Sequence, residues 1–294
     1  MYLTTFLQAT PLVFYFVVII FGLLVGSFIN VVIYRLPKMM EKTWRQECRL
    51  LLDIDDKDNT VEEGKFDLVT PRSRCPFCAH KIAAWENIPL VSYLILRGKC
   101  SECKKTIPVR YPLVELLSAI MSCFIAFHFG WSIQTFLALF LTWALICLSF
   151  IDYDTQLLPD DITLPFLWLG IIANMFGLFT DIYSSLFGAI FGYLSLWSIY
   201  IAFKLITGKE GMGHGDFKLL AMLGAWLGWQ MLPLIIILSS FLGAIIGIGL
   251  ILFRNHEKSQ PIPFGPYLAL AGWISLISGN QIINAYYSWS LHAL

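Results

Sequence analysis

Long apolar runs set the pattern of this chain, and short polar connections separate them. Runs almost free of charge occupy residues 11–34, 112–129, 133–151, 159–179, 183–206, 219–232, 234–253 and 262–287. A helix rises about 1.5 Å per residue, so about 20 apolar residues cross the roughly 30 Å hydrocarbon layer of a bilayer. The pattern predicts an all-α polytopic membrane protein with about eight transmembrane helices. The run at 219–232 is the shortest, and Pro233 separates it closely from the next. The sixth and seventh spans therefore read either as two helices or as one broken helix. The first run has no basic residue before it and no small-residue cleavage site before Arg35, so it is expected to remain as an anchor.

Composition agrees with that class. Of 294 residues, 57% are hydrophobic and 14% charged, where a soluble domain carries about 25% charged residues. The net charge of zero argues against a basic nucleic-acid-binding face. The average hides an asymmetry: 15 of the 20 Lys and Arg fall between Arg35 and Arg110, and no charge precedes Arg35. A polar module thus divides the chain into a first transmembrane helix (1–34), a module at 35–111 and a membrane-embedded domain (112–294). If the module is cytoplasmic and each run crosses once, Lys204, Lys209, Lys218, Arg254 and Lys258 fall on its side. The opposite loops, near Gly130, Asp181, Pro233 and the C-terminus, contain no Lys or Arg. Cytoplasmic enrichment in basic residues then predicts an N-terminus on the outer side. Glycines four apart, Gly22/Gly26, Gly188/Gly192, Gly224/Gly228 and Gly243/Gly247, are expected to let helices approach closely.

Within the module the sequence runs SRCPFCAHKIAAWENIPLVSYLILRGKCSECKKTIPVR. Two C-x-x-C pairs, Cys75/Cys78 and Cys100/Cys103, stand 21 residues apart, which suits a four-thiolate zinc site. Each pair forms a knuckle whose sulfurs point the same way, and two knuckles complete a tetrahedron. Two disulfides are the alternative, and a reducing cytosol weighs against them. Four thiolates leave no open position for water, so the metal is expected to hold the module together, which has too little apolar material for a good core of its own. His80 reads as a surface residue, and Cys123 and Cys147 as small apolar residues in spans, while Cys48 is unpaired. The acidic stretch LLDIDDKDNTVEEGKFD reads as a solvated loop.

Ionisable residues inside the membrane portion concentrate in two loops on the module's side, FIDYDTQLLPDDITLP and GKEGMGHGDFKLL. Asp152 follows the third run, and Asp216 enters the sixth behind Gly211, Gly213 and Gly215. A carboxylate at the mouth of an apolar segment is costly unless it is paired, solvated or used. Both loops lie at one face, so Asp152 and Asp216 can meet. Two facing carboxylates share a proton, which lets one act as a base on water while the other donates to a developing oxyanion. Glycines beside Asp216 leave room for a substrate strand. GMGHG does not follow a strand, which discards a dinucleotide fingerprint. His214 as a metal ligand, or the aspartates as parts of a cation-coupled transporter, are the competing readings.

The text GSFINVVIYRLP, the paired knuckles, RYPLVELL, IDYDTQLLPD and GKEGMGHGDFKLLAMLGAWLGW together resemble the type IV prepilin leader peptidases along nearly the whole chain. These are bifunctional enzymes of the bacterial inner membrane, of the GxGD type of membrane aspartic protease. The resemblance implies cytoplasmic cleavage, after a glycine, of the basic leader of prepilins and type II secretion pseudopilins. It also implies N-methylation of the new terminal residue with S-adenosylmethionine as donor. Carried over by position, the catalytic pair is Asp152 and Asp216, with Asp154, Gly213 and Gly215 in support and Cys75, Cys78, Cys100 and Cys103 on zinc. No motif marks the methyl-donor site.

Overall fold

The computed structural model describes residues 10–52, 66–254 and 263–292; most of the acidic stretch, at 53–65, and Lys258 lie outside them. The described residues are helical, with two isolated antiparallel bridges, Arg74–Lys81 and Lys99–Thr106. Nine helices form among them: α1 (Pro11–Leu52), α2 (Val91–Ile95), α3 (Arg110–Phe129), α4 (Ile133–Thr155), α5 (Asp160–Met175), α6 (Ile182–Thr207), α7 (His214–Leu227), α8 (Leu232–Arg254) and α9 (Gly265–His292). All but the short α2 coincide in order with the eight expected spans. Five helical segments, in α1, α3, α4, α6 and 229–249, are long and apolar enough to cross a membrane.

Two compact units divide the chain, Met1–Phe127 and His128–Leu294. In the first, α1 does not stop at Tyr34 but runs on through Pro37 for 42 residues. The proline forgoes one backbone hydrogen bond, yet the helix continues to Leu52, with Arg45 and Glu41 paired on its far end. Gly22 and Gly26 press α1 against α3. A Cβ on Gly22 would lie 2.9 Å from the Ala119 backbone, and one on Gly26 2.7 Å from that of Glu115. Ser118 fills the gap with a hydrogen bond to the Gly22 carbonyl at 2.8 Å. Arg35, at the polar end of this pair, donates to the carbonyls of Asp67 (2.9 Å) and Pro71 (2.6 Å). The guanidinium thereby ties the module's first turn to α1.

In the second unit α7 is the core. Phe217, Leu219, Leu220, Met222, Leu223, Ala225 and Trp226 are all fully buried. Its 14 residues extend only about 21 Å, too short to cross a bilayer alone, so neighbouring helices shield it. Gly188 and Gly192 of α6 are the reason α7 lies so close. A Cβ on Gly188 would collide with the Gly224 carbonyl, and one on Gly192 would sit 2.7 Å from the Leu220 carbonyl. On the other side, a Cβ on Gly170 of α5 would strike the Trp226 ring at 2.5 Å, while Trp226 Nε1 donates to the Phe166 carbonyl at 2.8 Å. Asn174 donates to the Ala225 and Trp226 carbonyls, which the end of α7 leaves open.

The question of the sixth and seventh spans resolves into two helices. The break comes at Gly228, whose φ of +85° suits a residue without a Cβ, and one turn of 3-10 helix (Trp229–Met231) leads into α8. Pro233 does not make the break; it sits in the first turn of α8, where a missing N–H costs nothing.

Candidate active site and metal centre

Asp152 lies in the last turn of α4, which continues to Thr155 before Gln156 closes it in the left-handed conformation (φ 55°, ψ 34°). The Gln156 N–H returns to the Asp152 carbonyl at 2.8 Å. That stop turns the chain through Leu157 and Leu158 to Pro159, which caps α5. Asp216 lies in the first turn of α7, behind the N-cap Gly213. Both side chains are buried, at 5% and 8% exposure, and the charge of Asp152 acts on Asp216. The two loops therefore bring their aspartates into one site.

The glycines of the second loop act through packing. A Cβ on Gly215 would sit 2.7 Å from Leu158, so the bare backbone lets the start of α7 close against the turn that follows Asp152. Gly211 takes the Phe203 ring in the same way. Gly213 has ordinary extended backbone, and a Cβ there would meet only Asp216 Oδ2, at 3.9 Å. Chain neighbours aside, no other atom of the described residues lies within 4 Å of that Cβ. Asp154, two residues on from Asp152 and so on the other side of the helix, is exposed.

Three contacts here were not anticipated from the sequence. The N–H of Gly265 donates to Asp152 Oδ2 at 2.9 Å. Gly265 is the first residue of α9, and its N–H is one of the donors that a helix start leaves without an internal partner. The signal lay in PFGP, a turn followed by proline in the first helical turn. Lys218 of α7 grips both carboxylate oxygens of Asp160 at 2.7 Å, joining the two aspartate loops a second time. Among the described residues His214 joins no cluster of possible metal ligands; its ring packs edge-on against Tyr200 and Phe217.

The candidate metal centre is built from two copies of one turn, residues 73–82 and 98–107. In each, the first cysteine's N–H bonds to the carbonyl five residues on (Cys75 to His80, Cys100 to Lys105, both 2.9 Å). A left-handed residue follows the second cysteine, Ala79 at φ 57° and Lys104 at φ 58°, and a bridge closes each turn. Lys105 lies over the Phe77 ring at 4.0 Å and links the copies. The four sulfurs lie within 4.8 Å of one another, with Cys75–Cys103 at 3.8 Å and Cys78–Cys100 at 3.9 Å. Four sulfurs at about 2.3 Å from one zinc in a tetrahedron stand about 3.8 Å apart, so the set fits such an ion. All four are free thiols, so disulfide pairing is absent here.

The N–H groups of Cys78 and Phe77 hold the Cys75 thiol low, at about 6. Cys78, although the His80 N–H favours its anion, is pushed up to about 11 by desolvation and by the neighbouring sulfurs. The cluster parts easily with one proton and reluctantly with the next, and a cation is what would hold four thiolates together. His80 stays outside the set, 3.3 Å from Glu86. Glu86 is held below the usual carboxylate range by Ser101, the Ala83 N–H and His80.

A model of the bacterial peptidase A24 N-terminal domain matches residues 20–129, and one of the type IV leader peptidase family matches residues 139–248. A prepilin leader peptidase/N-methyltransferase of Pseudomonas aeruginosa is 58% identical over 284 residues, covering 97% of each chain. Proteins of the same description from Aeromonas hydrophila and Neisseria gonorrhoeae are 55% and 47% identical, covering 94% and 93% of both chains respectively. No solved structure matches the chain.

Proposed function

The chain belongs to the type IV leader peptidase family, and from that premise we propose that Asp152 and Asp216 are its peptide-cleaving pair. The enzyme removes the leader of prepilins and N-methylates the product. Its substrates are prepilins and type II secretion pseudopilins, cut after a glycine at the cytoplasmic face of the bacterial inner membrane. The observation that carries the residue assignment is the burial of two aspartates, delivered by separate loops, in one site.

The chemistry follows from the pair. One carboxylate takes a proton from water as the water oxygen attacks the scissile carbonyl carbon. Its protonated partner donates to the carbonyl oxygen. Collapse of the tetrahedral species returns that proton and passes the other to the leaving amine. Gly265 fixes Asp152 through its N–H, Gly215 and the Asp160–Lys218 pair hold the two loops together, and Gly213 leaves the substrate's path open.

Cys75, Cys78, Cys100 and Cys103 would hold a zinc ion, which would supply cross-linking within the module, since four thiolate ligands leave no position for water or substrate. S-adenosylmethionine supplies the methyl group. Among the described residues no strand–loop–helix nucleotide cradle is present, the bridges being confined to the knuckles, and its site is assigned to no residue.

The test is cleavage of a prepilin in detergent, read by mass. Asp152→Asn and Asp216→Asn should each abolish cleavage with normal membrane insertion, and the double variant should match either single one. Asp154→Asn should stay active, and methylation of an already cleaved substrate should survive all three changes. Near wild-type cleavage by Asp216→Asn, or an indispensable Asp154 with a dispensable Asp152, would sink the assignment.

A further inference from the structure

Fifteen residues, 83–97, separate the two knuckle turns. They form a 3-10 turn (Ala84–Asn87) and the five-residue α2, and they leave Ile88, Val91, Leu94 and Ile95 exposed, Leu94 at 74% and Ile95 at 66%. Val91, Leu94 and Ile95 are spaced to share one face of a helix. A solvated module gains nothing by presenting such a face to water.

The position of this segment is fixed by Glu115. Its carboxylate accepts the Leu90 N–H at 2.9 Å. Glu115 lies five residues into α3, about 7.5 Å along the axis from Arg110. Arg110 is the last cation before the apolar run of α3, so it marks the head-group level. The polar layer on each side of a bilayer is about 5–8 Å thick. A peptide tied 7.5 Å inward of Arg110 thus lies at the boundary between head groups and acyl chains. Leu113, Leu116, Leu117 and Ile120 of α3 are exposed too, so the apolar face continues along a spanning helix.

Charge points the same way. Among residues 66–110 there are eight Lys and Arg against three Asp and Glu. Arg97 and Lys99 immediately follow α2, and both are exposed. Apolar side chains flanked by cations suit an anionic bilayer surface. We propose that residues 88–97 form an interfacial anchor, with Val91, Leu94 and Ile95 set among the upper acyl chains of an anionic bilayer and Arg97 and Lys99 on its head groups. The anchor holds the metal module flat against the membrane.

The test uses full-length protein in nanodiscs of phosphatidylcholine, with or without phosphatidylglycerol. A benzophenone amino acid is placed at Leu94 or Ile95, at Leu113 as lipid-facing reference, and at Arg45, about 15 Å beyond Arg35 on α1, as solvent-facing reference. Metal content per chain verifies that each module is folded. After irradiation, positions 94 and 95 should carry phospholipid adducts in yields near that of position 113, with position 45 severalfold lower. Amides 91–96 should exchange severalfold more slowly when phosphatidylglycerol is present. Adducts from 94 or 95 to a second copy or another protein, or lipid yields no higher than at position 45, overturn the anchor. Equal exchange in both nanodiscs overturns its anionic preference.

Discussion

Replacing Gly265 by alanine isolates the placement of one carboxylate of the proposed pair. The glycine has no positive φ, and it opens a helix, so alanine brings no backbone strain and a better helix propensity. The new methyl group would stand 2.7 Å from Asp152 Oδ2 and 3.0 Å from its Cγ. Ordinary contact begins near 3.4 Å, so the carboxylate or the start of α9 must give about 0.7 Å. A misplacement of about 1 Å costs on the order of 100-fold in rate. Gly265→Ala should therefore lower kcat for leader cleavage about 10- to 100-fold, a barrier increase of about 1.4–2.7 kcal/mol. KM should change less than kcat, because the substitution acts through the carboxylate proposed to take part in the bond-making step. Gly249→Ala, where a Cβ meets nothing within 4 Å, is the matched control. The assay is steady-state cleavage in detergent, with Tm and metal content measured on the same samples. A Gly265→Ala enzyme with wild-type kcat would show that Asp152 does not need this geometry and would refute the reasoning.

Gly224→Ala should weaken packing of α7 on α6, since its Cβ would collide with the Gly188 carbonyl; overpacking of this kind costs about 1–3 kcal/mol, read as a lower Tm with reduced cleavage and unchanged metal content. For the Asp160–Lys218 pair, partly exposed and so worth less than about 1 kcal/mol in stability, Asp160→Asn and Lys218→Met should each reduce kcat more than Tm, and their effects should not add; additive losses would show that the pair does not act as one clamp. Cys100→Ser should lose the metal and loosen residues 73–107, with leader cleavage suffering less than methylation, checked by metal analysis and limited proteolysis. Because metal binding needs thiolates, acidification should release the ion, read as metal occupancy that falls as the pH is lowered; occupancy that stays constant until the protein itself unfolds would oppose a thiolate site. A reporter fused after Lys209 should behave as cytoplasmic and one after Asp181 as periplasmic.

The sequence by itself determined what depends on local composition and short spacing. Eight apolar runs announced the helices, because hydrocarbon demands uninterrupted apolar length. Two C-x-x-C pairs announced the metal centre, because each knuckle closes within a few residues of its own cysteine. The aspartates stood out as carboxylates beside apolar runs, where an unused charge is costly. Helix ends were less legible: α1 runs past Tyr34 and α4 past Ile151, because an apolar run marks the length of a membrane span and not where the backbone hydrogen-bond ladder stops. Only the tertiary structure decided why the glycines are there and what holds the carboxylates. Gly215 is bare because Leu158 lies against it, and Gly188 because Gly224 does. Gly265 comes to Asp152 from 113 residues away, and Lys218 reaches Asp160 across 58. Such contacts are set by which helices pack together, and helix packing follows from the shapes of whole faces, which no short stretch of sequence carries.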